Sequence, residues 1–252
     1  MELTYAGKMM VAAHRGNSDC YPENTMAAFR SAIEVGVDMI ETDVRMTKDG
    51  VLVLIHDKLV DRTTDGVGAV AEMTFAQLRA LNAGSAAQPQ PIPTLEELLA
   101  LLADTDVTLN LEVKEYWDDG NDERSRVCVD KCVALLEQYN MTEKMLFNSF
   151  DAAVLEYIDA KYPGRYRLHG FYPYDRMYHV HRDPGEYLYC ACLKEKCPVA
   201  HYDYLLERNI EPWVGPATAL QEVEECFRLG ARLVTSNHPA EDLAVLQKAG
   251  AR

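Results

Sequence analysis

Short apolar runs alternate with segments whose apolar positions recur every three or four residues, almost throughout the chain. Short runs bounded by turn residues read as strands, and the periodic segments read as amphipathic helices. The first strand is expected at residues 10–13. A helix opens near Asn24 or Thr25, places Ala28, Phe29, Ala32 and Ile33 on one face, and stops at Gly36. The second strand covers residues 37–44, with Glu41 and Asp43 on one face and Ile40, Thr42 and Val44 on the other.

The rhythm then breaks. Lys48-Asp49-Gly50 is a turn signal, and residues 51–55 form a β run immediately after it. No crossover helix fits between them, so the pattern predicts a hairpin that returns His56 roughly opposite Asp43. Residues 45–93 become an insertion with the turn-rich stretch Thr63-Thr64-Asp65-Gly66-Val67-Gly68, a short helix at 75–81 and a loop at 83–93. Thr94-Leu95-Glu96-Glu97 is a capping box opening a helix over 95–102. Alternation resumes with strands at 107–114, 145–150, 167–171, 187–193, 210–214 and 231–236. Helices fall at 124–137, from a cap at Asp151 to Ala160, at 199–207, from Thr218-Ala219-Leu220-Gln221 to Arg228, and at 240–248. Eight strands each followed by helical sequence predict an α/β fold, a (β/α)8 TIM barrel with a small insertion after the second strand. Residues 1–252 form one domain in this reading, and an open doubly wound sheet needs fewer repeats.

Composition narrows the partners. The 252 residues are 48% hydrophobic, enough for one substantial core. A net charge of −15 argues against nucleic acid or an anionic membrane surface. An anionic substrate must therefore be held by local cations. The first residues lack the basic start and apolar stretch of a signal peptide, and no apolar run approaches the ~20 residues of a membrane span. No membrane anchor is expected. Seven cysteines, an odd number, read as thiols of a reduced cytoplasmic protein. Oligomeric state is not written in the chain.

Chemistry gathers at the predicted strand ends, where barrel enzymes place their sites. His14 and Arg15 end the first strand, Glu41 and Asp43 the second, His56 the hairpin, and Glu112 and Lys114 the third main strand. In that strand Asn110, Glu112 and Lys114 share one parity, which faces them toward the barrel mouth. Buried charges there must pair or coordinate something. Glu41, Asp43 and Glu112 supply hard oxygens suited to one divalent cation, Mg²⁺ or Ca²⁺, with Mn²⁺ also compatible. Two histidines suit a general acid and base near neutral pH, and Arg15 and Lys114 suit a phosphate. The constellation reads as a metal-assisted phosphodiester site for a small-molecule substrate. Taken singly, each residue is unremarkable; their joint placement carries the reading.

The remaining candidates are weaker. Tyr172, Tyr174, Tyr178, His179, His181 and Tyr187 fit a lid, a subunit contact or an ordinary connection. Cys190, Cys192 and Cys197 lack the paired spacing of a zinc site. Cys128 and Cys132 sit at helical spacing on an apolar face, which reads as core.

Several ordered motifs resemble the glycerophosphodiester phosphodiesterase family. They are HRG with PENT, then ETDV, TKDG, VLIHD and DRTTDGVG, followed by IPTLEELL, LNLEVK, and FNSF with Asp151. The resemblance implies a (β/α)8 barrel with an insertion after its second strand. It implies that His14 and His56 are the acid/base pair, Arg15 a phosphate ligand, Glu41, Asp43 and Glu112 metal ligands, and Lys114 a site cation. It further implies cleavage of glycerophosphodiesters to sn-glycerol 3-phosphate and an alcohol. Which histidine is acid and which base stays open, as does attack by water or by a substrate hydroxyl. A phospholipase D-like action on lysophospholipids is a variant of the same chemistry. A non-catalytic phosphodiester-binding barrel is the other class, which would be expected to have lost a histidine or an acid. Relatives tend to end strand eight with Thr-Asp-x-Pro, where this chain has Ser236-Asn237-His238-Pro239. They tend to carry Thr-Val-Asn after the tryptophan of strand seven, where Val214-Gly215-Pro216 follows Trp213. Trp213 is a candidate pocket residue or a buried packing partner.

Overall fold

A computed structural model describes residues 8–117, 122–194, 196–217 and 225–252. The elements in chain order begin with β1 (Met10–His14), α1 (Met26–Val35), β2 (Met39–Met46) and β3 (Leu52–Leu54). Next come α2 (Phe75–Arg79), α3 (Leu95–Leu102), β4 (Thr108–Val113), α4 (Asp122–Gln138), β5 (Met145–Asn148) and α5 (Ala152–Lys161). The chain continues with β6 (Arg167–Phe171), β7 (Cys190–Leu193), α6 (Val199–Leu206), β8 (Glu211–Ala217), β9 (Leu233–Ser236) and α7 (Pro239–Lys248). The expected cap at Thr218–Gln221 lies outside the described residues, and residues 225–228 are helical.

Eight strands are parallel and pair in the order β1-β9-β8-β7-β6-β5-β4-β2, and a β1–β2 pairing closes the ring. That is the (β/α)8 barrel. β3 runs antiparallel to β2, with Val44 opposite Leu54, and the Ile55 N–H donates to the Asp43 carbonyl at 3.1 Å. The expected hairpin therefore forms, and it brings His56 back beside Asp43.

Strand parity sorts the side chains. Val11, Ala13, Ile40, Val44, Leu111, Val113 and Phe147 face outward into the helix layer, where they join the largest apolar cluster. Inward positions close the lower barrel with Ala12, Met39, Leu146, Cys190, Trp213 and Leu233. The insertion packs its own small core from Val53, Ile55, Val60, Val70, Leu78 and Ile92. The capping box at Thr94 forms as the spacing predicts, with Thr94 and Glu97 bonding reciprocally.

Several strands are shorter than the pattern predicts, β5 ending at Asn148 and β9 beginning at Leu233, and β7 loses the most at its start. Extension was expected from residue 187, but β7 begins at Cys190. Residues 184–186 make a single tight turn, and the Tyr187 and Leu188 N–H groups both donate back to the Pro184 carbonyl. Those donors are spent on the turn, so the ladder starts later. Among the described residues, no helix is long and apolar enough to cross a membrane.

Candidate active site

His14 ends β1, and the chain reverses immediately. Arg15 takes a left-handed conformation (φ 58°) and its N–H donates to the Glu41 carbonyl at 2.9 Å. Gly16 follows at φ 81°, where a Cβ would lie 2.8 Å from Ala28 backbone carbon, so only glycine fits. The turn delivers Glu23, Asn24 and Thr25 to the site rim. The Thr25 hydroxyl accepts from the Ala28 N–H to cap α1. The Asn24 amide spans two β2 side chains, accepting from the Thr42 hydroxyl at 2.7 Å and donating to Asp43 at 2.9 Å.

Glu41, Asp43 and Glu112 bring one ligand oxygen each to within 4.8 Å of one another, and all three are buried. Unit charges of like sign at about 4 Å cost about 4 kcal/mol at an effective dielectric near 20. Burial pushes the Glu41 carboxyl well above its usual range, and Asp43 and Glu112 add to the effect. Asp43 is also penalised by burial, but Lys114, His56 and Arg15 outweigh this and hold its pKa down. Lys114 Nζ sits 2.6 Å from Glu112 and 3.2 Å from Asp43, and Arg15 Nε 3.4 Å from Asp43. Burial opposes the Lys114 charge, yet Glu112 and Asp43 raise its pKa overall. Arg15 and Lys114 also favour the charged form of Glu41, and the Arg15 N–H donates to its Oε2 at 3.1 Å, but burial and the two neighbouring acids outweigh them. A divalent cation among three hard oxygens supplies the missing positive charge, so the donor set fits one.

The histidines stand in different seats. His14 Nδ1 lies 2.6 Å from Asn237 Oδ1. An amide oxygen only accepts, so Nδ1 carries the proton and Nε2, 3.9 Å from Glu41, is the free nitrogen. Burial lowers the His14 pKa, and Arg15 lowers it further. His56 Nδ1 instead meets the Asp57 carboxylate at 2.6 Å. Arg62 Nε donates to the other Asp57 oxygen at 2.5 Å and holds that carboxyl well below its usual range. Arg62 also forks onto Glu23 at 2.9 and 2.7 Å, and Glu23 accepts from Arg15 at 2.9 Å. A charged chain thus ties the insertion to the β1 turn. Arg45 pins the two backbones between which the site lies, donating to the His56 carbonyl at 2.9 Å and the Lys114 carbonyl at 3.0 Å.

His14, Arg15, Glu41, His56, Glu112 and Lys114 line one barrel cavity of about 250 Å³. An open groove of about 460 Å³ adjoins it, and His56 and Lys114 line both. Trp213 is placed elsewhere. It is fully buried in the lower barrel layer, its indole N–H donates to Glu211 at 3.2 Å, and it does not line the cavity. Of the two readings given for Trp213, its full burial and its absence from the cavity lining favour the packing partner: it faces into the barrel but lies a layer below the cavity.

Residues 14–212 match the glycerophosphoryl diester phosphodiesterase family. The chain belongs to that family. A glycerophosphodiester phosphodiesterase of Caldanaerobacter subterraneus subsp. tengcongensis is 41% identical over 150 residues, 57% of this chain and 59% of that protein. Glycerophosphodiester phosphodiesterase 1 of Homo sapiens is 41% identical over 115 residues, 43% of this chain and 35% of its own length. Both matches span less than two thirds of the relative. An Oleispira antarctica phosphodiesterase, solved with the product sn-glycerol-3-phosphate, superposes with a TM-score of 0.83 at 24% identity, covering 96% of this chain and 98% of that one. A glycerophosphodiester phosphodiesterase of Agrobacterium tumefaciens gives 0.77 at 23% identity, covering 94% and 99%. These two likenesses establish the fold.

Within this family member, several site residues carry no signal in the sequence reading. Tyr116 donates to Glu112 at 3.1 Å. Asn237, visible only as a departure from the usual strand-eight ending, seats His14. The other departure, Gly215, leaves the cavity wall without a side chain; a Cβ there would lie 2.5 Å from the Thr235 carbonyl oxygen. Asn148, His169, Phe171 and Cys192 also line the cavity, on strands where the sequence reading placed no site residue.

Proposed function

We propose that the protein hydrolyses glycerophosphodiesters to sn-glycerol 3-phosphate and an alcohol, with one divalent cation, Mg²⁺ or Ca²⁺ (or Mn²⁺), held by Glu41, Asp43 and Glu112. The observation that carries the reading is the convergence of two imidazoles, Glu41, Glu112 and two cations on one cavity at the carboxyl ends of β1, β2 and β4, with Asp43 within 4.8 Å of the two acids. A bound cation supplies positive charge to the phosphate and offsets the charge that grows on its oxygens. The chain's own residues supply the rest. Lys114 and Arg15 place further positive charge beside the phosphate. His14 and His56 are the general acid and base, one taking the proton of the attacking oxygen, the other protonating the departing alkoxide. Each ring has its Nδ1 occupied by an acceptor, so Nε2 is the atom that moves a proton in both.

Family membership supports the activity, and so does the solved relative that binds sn-glycerol-3-phosphate. None of the seven cysteines forms a disulfide among the described residues, which supports a reducing, cytoplasmic setting. The test is release of sn-glycerol 3-phosphate from a panel of glycerophosphodiesters, with and without added Mg²⁺ or Ca²⁺. Metal-stimulated release is expected. Failure of every headgroup to give it would move the protein to the class of phosphodiester-binding barrels.

A further inference from the structure

Two buried polar side chains on the cavity wall next to Glu112, which pairs with Asn148 across the β4–β5 ladder, each have one atom without a hydrogen-bond partner among the described residues. His169 on β6 is 2% exposed and Asn148 on β5 is 3% exposed. They are register neighbours across the β5–β6 ladder, both point into the barrel, and both line the cavity. His169 Nε2 and Asn148 Oδ1 are buried and accept or donate no hydrogen bond among the described residues. Buried polar atoms in a native fold are nearly always satisfied, and each orphan costs about 1–3 kcal/mol. A pair of orphans side by side on a cavity wall points to a ligand that satisfies them.

The ring chemistry says what that ligand offers. His169 is clamped between Trp213 at 5.0 Å and Phe171 at 5.4 Å between ring centroids. Burial drives its pKa down to about 3, and Arg176 adds to this, so the ring is neutral. Asn110 Nδ2 lies 3.2 Å from His169 Nδ1, nearer than Asn110 Oδ1 at 3.4 Å. Asn110 therefore engages Nδ1, and Nε2 is the ring atom left to face the cavity. The wall thus presents a neutral ring nitrogen from His169 beside an amide oxygen from Asn148, with the Arg176 guanidinium also in the lining. A hydroxyl group, which both donates and accepts, suits a neutral ring nitrogen and an amide oxygen side by side.

We infer that His169 and Asn148 recognise a hydroxyl on the arm of the phosphodiester that enters the barrel. The inference rests on the phosphodiesterase reading and refines its substrate class. At about 250 Å³ the cavity is smaller than the ~300–1,000 Å³ of drug-sized ligands, so it takes a small polyol arm. The other arm leaves through the open groove, which meets the cavity at His56 and Lys114. Selection acts on the inner arm, because an inner arm without the hydroxyl leaves both wall groups unpaired.

The test compares choline release, with added Mg²⁺ or Ca²⁺, from glycerophosphocholine and from the same diester with n-propyl in place of glycerol. The parent protein is expected to favour the glycerol arm about 10- to 100-fold in kcat/KM, the effect of one or two buried hydrogen bonds. His169→Leu and Asn148→Leu are each expected to lower kcat/KM for glycerophosphocholine far more than for the propyl diester, so that the preference collapses to within a few fold. Equal turnover of the two arms by the parent protein overturns the inference and needs no variant. Retention of the full preference in both folded variants also overturns it. Absence of choline release from either compound by the parent protein overturns the phosphodiesterase reading itself, and this inference with it.

Discussion

β1, β2 and β4, with the hairpin that rises from β2, line their side of the barrel mouth with two imidazoles, three carboxylates and two cations. β5 to β9 line the rest with an amide, a neutral ring, a thiol, aromatic faces and a glycine, and with one cation, Arg176, whose guanidinium is spent on the Tyr172 and Cys192 carbonyls. On the charged side groups are balanced against one another, and at Glu41 burial and the neighbouring acids outweigh the cations. On the neutral side the groups are quiet, and two of them each have one atom without a partner among the described residues. The difference separates two tasks. Making and breaking bonds at phosphorus needs charge that can shift and protons that can move. Choosing an alcohol needs fixed dipoles that fit it and do not disturb that charge balance.

Removing charge from the first side breaks the contrast most severely. Glu112→Gln is expected to abolish metal stimulation, with kcat/KM falling about 10³-fold or more, as expected when several kcal/mol of charge stabilisation is lost. A chelator should reduce the parent protein to the same level, measured by product release. A variant that stays metal-stimulated would put the cation elsewhere. His14→Ala and His56→Ala come next, each lowering kcat by about 10²–10⁴-fold. The double variant should cost far less than the product of the two, because the rings act on one reaction.

Asp57→Asn sharpens the comparison on a smaller scale. It gives His56 the amide seat that His14 already has through Asn237. Charge-assisted hydrogen bonds are about twice as strong as neutral ones, so kcat is expected to fall about tenfold. No change in kcat would mean that the two seats are equivalent.

The smallest effect belongs to the neutral side and concerns stability. The folded His169 ring resists protonation until about pH 3, whereas the unfolded chain takes the proton near 6.5. The unfolded state therefore holds the extra proton as pH falls through that window, and stability declines by up to about 1.4 kcal/mol per pH unit. Between pH 7 and pH 5 the parent protein should lose about 2 kcal/mol that His169→Leu does not lose. Thermal unfolding would show this as a difference of several degrees in the pH dependence of Tm. Parallel curves for the two proteins would show that the ring is already protonated in the fold.

The charged side was legible in the chain because its residues advertise themselves. Histidines, acids and cations ending apolar runs conflict with burial, and that conflict is visible without coordinates. The barrel and its insertion were legible for a similar reason: the switch from crossover spacing to a hairpin turn at Lys48-Asp49-Gly50 leaves one reading. The neutral side was opaque. An asparagine or a lone histidine inside a strand reads as packing, and nothing local distinguishes His169, which meets the cavity, from Trp213, which lies beneath it. Parity along a strand gives the face of a side chain but not its depth, and depth is set by how eight strands stagger against one another. Asn237 marks the same limit, since its departure from the usual ending was visible but the ring it holds, 223 residues earlier, was not.

Strand order carries one further consequence. All the ionic machinery lies between residues 14 and 114, in one unbroken stretch, while the recognition wall begins with β5, beyond α4. A half-barrel exchange with its crossover in α4 would carry the acids, both imidazoles and both cations together and replace the gauge that sizes up the alcohol, provided the incoming half keeps an amide at position 237 to hold the His14 ring. Such chimaeras offer a way to change what is cut without touching how it is cut, because the two abilities are written in separate halves of the polypeptide.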